Sequence, residues 1–83
     1  MKGKTTYKKV FELDFSKCDE FVLTVNESKL YVRYDNGTLN VTFDTVNVVD
    51  FGLVDKDETV KREKVKFFVE TEDEIKHTNV ECK

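Results

Sequence analysis

The chain contains no proline, tryptophan, alanine or glutamine, and only three glycines, two cysteines and one histidine. Each shortage excludes something. A chain without alanine has lost its best helix former. Glycines at 3, 37 and 52 alone cannot build a phosphate-cradling loop. Two cysteines, Cys18 and Cys82, are too few and too far apart for a disulfide framework or a zinc ligand set. The expectation is two reduced thiols; the sharper alternative is one bond tying the chain's end to its first third. The longest apolar runs, Phe21-Val22-Leu23 and Phe67-Phe68-Val69, are three residues long, against the ~20 needed to cross a bilayer as a helix. No apolar run of signal-peptide length follows the basic start at Lys2, Lys4, Lys8 and Lys9. The expected location is therefore cytoplasmic, with no membrane partner. Three N-x-[ST] triplets, at Asn26, Asn36 and Asn40, carry meaning only in a secreted chain.

What is present points to strands. Val, Thr, Phe, Tyr and Ile together make up 33 of the 83 residues, and β-branched and aromatic residues fit a pleated surface. With 39% hydrophobic and 37% charged residues, one small domain over 1–83 with a charged surface is expected. The net charge is −3.

The central third is the most informative. Asn36-Gly37 lies between alternating segments, and both residues tolerate the positive φ of a type I′ hairpin turn. That turn sets Leu30 opposite Phe43, Val32 opposite Val41 and Tyr34 opposite Leu39, with Tyr31 and Arg33 on the other face. Phe21, Leu23 and Val25 alternate upstream. A four-residue turn through Asn26-Glu27-Ser28-Lys29 would set Val25 opposite Leu30 and Leu23 opposite Val32. The result is a three-stranded meander over about 20–44 with nine apolar residues on one face.

A first strand alternates through Tyr7, Lys9, Phe11, Leu13 and Phe15. The pattern changes phase at Val48-Val49, which suggests a β-bulge. Asp55-Lys56-Asp57-Glu58 reads as a polar turn, Val65, Phe67 and Val69 alternate again, and a last strand runs near Ile75–Val80. The expected fold is all-β, a small antiparallel sandwich or partly open barrel of about six to seven strands. The competing reading is α+β with a C-terminal helix near 57–76, supported by Asp57–Lys61, Glu58–Arg62 and Glu72–Lys76 at i, i+4 spacing.

Chemistry is sparse. His77 stands in a polar segment, and a His77–Cys82 pair has nothing beside it to supply an oxyanion site. Asp55/Asp57/Glu58 and Glu72/Asp73/Glu74 read as solvated turns, and the first lacks the alternation and central glycine of a calcium loop. No enzyme, cofactor or metal is expected. Function then falls to the surface. Tyr31 and Arg33 are residue types that concentrate binding energy at interfaces, and Glu72, Asp73 and Glu74 suit a basic partner surface. The leading expectation is a non-enzymatic, acidic protein-binding module, an inhibitor or adaptor that occupies a site on a larger partner. A phage or mobile-element protein acting on host nucleic-acid machinery would fit this size, as would a small virion or assembly component. The alternative class is a single-stranded nucleic-acid-binding barrel using Tyr31, Arg33, Tyr7 and the amino-terminal lysines. The net charge of −3 weighs against that class.

Overall fold

The computed structural model describes residues 5–44, 47–55 and 60–83. Among these residues seven antiparallel strands form two sheets: β1 (Tyr7–Leu13), β2 (Glu20–Val25), β3 (Ser28–Asp35), β4 (Thr38–Asp44), β5 (Val48–Leu53), β6 (Val65–Thr71) and β7 (Thr78–Cys82). One sheet has the order β1-β6-β5, the other β4-β3-β2-β7. No helix occurs among the described residues, and none is long and apolar enough to cross a membrane. The all-β expectation holds.

The alternation of each strand explains the layering. Phe11 and Leu13 of β1 and Val65, Phe67 and Val69 of β6 pack in one buried cluster with Leu23 and Val25 of β2 and Leu30 and Val32 of β3. These are the two inner faces of a sandwich. Phe15, just past β1, is fully buried, with its ring edge-on to Phe21. Phe68 points to the opposite face of its sheet yet is only 8% exposed. Its ring lies across Gly52, where a Cβ would stand 3.4 Å away, and the Lys8 ammonium sits 4.8 Å above it. Glycine on the neighbouring strand thus gives an outward aromatic somewhere to lie.

The β3–β4 hairpin has the expected register, with Leu30 opposite Phe43, Val32 opposite Val41 and Tyr34 opposite Leu39. Its turn carries φ 53 at Asn36 and φ 89 at Gly37. The phase change at Val48-Val49 is a register break between Val48 and Asp50. Other expectations are corrected. The meander's first turn is two residues, Asn26-Glu27, so Val25 faces Ser28, Leu23 faces Leu30 and Phe21 faces Val32. The slip is by two, and every side chain keeps its face. Asn26 decides it: at φ 55 its side chain holds the segment before β7. Its Oδ1 accepts from the Lys76 and His77 amides at 2.9 and 3.3 Å, and its Nδ2 donates to the Glu74 carbonyl at 3.1 Å. That tether delays β7 to Thr78–Cys82, later than the expected Ile75–Val80.

The competing helix near 57–76 is overturned, because Val65–Thr71 is a strand between β1 and β5. Ahead of it, Arg62 closes the sandwich end. Its guanidinium donates to the Phe15 carbonyl at 2.6 Å, pairs with Asp19 at 2.8 Å and lies over the Tyr34 ring. Cys18 and Cys82 are bonded, with Cα atoms 6.1 Å apart, which corrects the expectation of reduced thiols. The pairing of β7 with β2 is the cause: it sets Cys82 opposite Phe21, close to the chain just before β2. Lys2, Lys4, Val46, and Lys56, Asp57 and Glu58 of the expected turn lie outside the described residues, so the Asp57–Lys61 and Glu58–Arg62 pairs do too.

Candidate interaction face

Because Leu30, Val32 and Tyr34 point inward, Tyr31 and Arg33 must point outward. They stand on β3, an inner strand of the four-stranded sheet, on the face turned away from the second sheet. Tyr31 is flanked by Val22 on β2 and Thr42 on β4, Arg33 by Glu20 and Asn40. Arg33 is exposed and Tyr31 half-buried. Part of Tyr31's cover comes from the far end of the chain. The Lys83 ammonium lies 5.3 Å from its ring centroid and 3.9 Å from the Glu20 carboxylate, and the Lys83 amide donates to the Glu20 carbonyl at 2.9 Å. Lys83 is not among the residues expected at this face. The signal was weak: a terminal lysine reaches Tyr31 only if the last strand pairs with β2.

The face therefore combines an aromatic ring, an exposed arginine and a mixed set of charges. Lys29, Arg33 and Lys83 are interspersed with Glu20, Asp35 and Glu81 along the same strands. Such a surface can anchor a protein through Tyr31 and Arg33 and orient it through the surrounding charges. It has no uniformly basic track for a phosphate backbone. Nor does the fold gather the aromatics expected of a nucleic-acid platform. Tyr7, Lys8 and Lys9 are on β1, in the other sheet from Tyr31 and Arg33.

Glu72, Asp73 and Glu74 occupy the link between β6 and β7, at the end of the sandwich where Asn26 makes its bonds. All three are exposed. Thr71, itself buried, donates its hydroxyl to the Asp73 carbonyl at 2.6 Å and so fixes the start of the link. Asp73, Glu74, Glu27, Lys76 and His77 line a shallow open depression at that end. The two candidate patches are thus on different parts of the molecule: one on the sheet face, one at a corner.

His77 is exposed in this corner. Its conceivable partner Cys82 is engaged with Cys18 and offers no thiolate. Among the described residues, no three of His, Cys, Asp and Glu come together to hold a metal ion. Ser16 donates its hydroxyl and its amide to Asp14, which with Lys17 nearby holds the Asp14 carboxyl below its ordinary range. This is turn chemistry at the end of β1 and touches neither patch. No protein-family model matches the chain, and no curated protein or solved structure matches it either.

Proposed function

We propose that this protein is a non-enzymatic protein-binding module, an inhibitor or adaptor that occupies a site on a larger partner. The observation that supports the reading is the placement of Tyr31 and Arg33. Both stand mid-sheet on an outward face, flanked by short or polar side chains, where an aromatic and a guanidinium can be desolvated together. The exposed Glu72, Asp73 and Glu74 corner gives the same partner a long-range electrostatic cue, so that a basic protein surface is favoured. A phage or mobile-element protein that blocks the nucleic-acid groove of a host enzyme has this chemistry, with carboxylates standing where phosphates would.

The reading carries a compartment with it. Cytoplasmic thiol systems reduce structural disulfides, so a cytoplasmic protein would act with Cys18 and Cys82 reduced. Neither belongs to the buried core cluster. The test is affinity capture from the native host's lysate with and without nuclease. A stoichiometric protein that survives nuclease and binds wild type better than a folded Tyr31→Ala/Arg33→Ala double variant supports the module. Recovery that vanishes with nuclease selects the single-stranded nucleic-acid binder instead.

A further inference from the structure

Among the described residues the two sheets have four edges, and three of them carry features that discourage a further strand. The β1 edge carries Lys8, Lys9 and Glu12. The β5 edge is interrupted by its register break at Val48/Asp50. The β7 edge is short, with five residues. These are recognised ways of discouraging a further strand. Of these devices the β4 edge has only one charge, Asp44, at its last position. It pairs with β3 in unbroken register from Thr38 to Asp44. From Thr38 to Phe43 it holds no charge, in a chain that is 37% charged.

The direction of its free backbone groups follows from one hydrogen bond. The Tyr34 amide donates to the Asp19 carbonyl at 3.0 Å, toward β2. Alternation then turns the amides and carbonyls of Tyr31, Arg33 and Asp35 toward β4, where Thr42, Asn40 and Thr38 meet them. Leu39, Val41 and Phe43 turn their N–H and C=O groups along the outer edge, where no other strand pairs with them among the described residues. The same three side chains point toward the inner layer without being buried there, and Phe43 is 52% exposed.

We propose that this edge pairs with a second copy of the chain, β4 antiparallel to β4 with Val41 opposite Val41 across a two-fold axis. The strand is complementary to itself in that register. Leu39 falls opposite Phe43 of the second copy, so every outward amide and carbonyl of Leu39, Val41 and Phe43 finds a partner. A slip by two residues leaves Leu39 or Phe43 unpaired. Asn40 falls opposite Thr42, and Thr38 opposite Asp44, so no like charges meet. An apolar groove lined by Leu39, Val41, Phe51, Leu53 and Val60 runs beside the edge. The second copy's Phe43, arriving opposite Leu39, closes its mouth. The two four-stranded sheets become one continuous sheet with both Tyr31/Arg33 faces on the same side. This pairing is independent of what that face binds.

Sedimentation equilibrium of the wild type, of Asn40→Lys/Thr42→Lys and of Asn40→Lys/Thr42→Glu tests the register. In the first variant, lysines oppose lysines across the axis; in the second, lysine opposes glutamate. Both positions are exposed, and since both variants set the same lysine opposite Arg33, any cost to the fold from that pair is shared between them. The expected result is a wild-type dimer, at least tenfold weaker association for the double lysine, and recovery of the dimer in the Lys/Glu variant. Amide exchange on the wild type supplies a readout without substitutions. The Leu39, Val41 and Phe43 amides should be protected at high concentration and released on dilution. A monomer at all concentrations, free exchange at those three amides, a larger open assembly, or a folded Lys/Glu variant that stays monomeric would each overturn the proposal. So would a β4 edge occupied only by a different protein.

Discussion

Three residues carry unusual weight for their size. Gly37 sits at φ 89 with open space around it, so its requirement is conformational and not steric. Gly37→Val should therefore lower stability by more than ~1 kcal/mol, seen as a lower urea midpoint with an unchanged slope. Asn26 combines a positive φ with three hydrogen bonds to the segment ahead of β7. Asn26→Gly keeps the backbone and loses the side-chain bonds, at about 1–2 kcal/mol. Asn26→Ala adds roughly 1 kcal/mol more for the left-handed backbone, and urea unfolding of both variants should rank them in that order. Val32 is fully buried between Phe21 and Val41, while its neighbour Arg33 is exposed. Val32→Asp should abolish folding, because it leaves a charge unpaired in the core, and Arg33→Asp should leave the circular dichroism unchanged. Equal damage from both would mean that both faces of the sheet are covered.

At the scale of the strand, legibility followed from what fixes register. Asn36-Gly37 made β3–β4 readable, because a turn type and an alternation agreed. The β2–β3 pairing differs by two residues from the expected register for a physical reason: a period-two pattern excludes odd slips, but only the turn excludes even ones. The deciding fact, Asn26 bonding to Lys76 and His77, lies some fifty positions away in sequence. Non-local pairing hid β7 in the same way. The bulge near Val48 was legible because a phase change is local. In the 57–76 region the alternation of Val65, Phe67 and Val69 points to a strand, while the i, i+4 charge spacing supports only the competing helix. Its strand is set by burial on both faces, with Phe67 in the core and Phe68 under Lys8. Of the candidate site, the outward direction of Tyr31 and Arg33 was readable from alternation. The separation of Glu72, Asp73 and Glu74 from them, and the Lys83 cover on Tyr31, required the assembled sheet.

For the whole molecule, the bridge and the core contribute separately. Cys18–Cys82 closes a loop over most of the chain, which on the loop-entropy account stabilises by about 4 kcal/mol. The buried cluster from both sheets does not include either cysteine. A Cys18→Ser/Cys82→Ser variant should therefore stay folded, melt at a lower temperature, and show faster amide exchange in β7 than in β3 or β6. Collapse of the whole sandwich would mean that the core does not stand alone. The claim that joins fold to function is that the outer sheet face anchors a protein partner while the acidic corner steers it. The most direct test follows partner association and dissociation at low and high salt for wild type, Tyr31→Ala/Arg33→Ala and Glu72→Lys/Asp73→Lys/Glu74→Lys. Losing the anchor should speed dissociation at both salt concentrations. Reversing the corner should slow association, mainly at low salt where screening is weak. A folded Tyr31→Ala/Arg33→Ala variant that leaves its partner no faster than wild type would contradict the placement of the site.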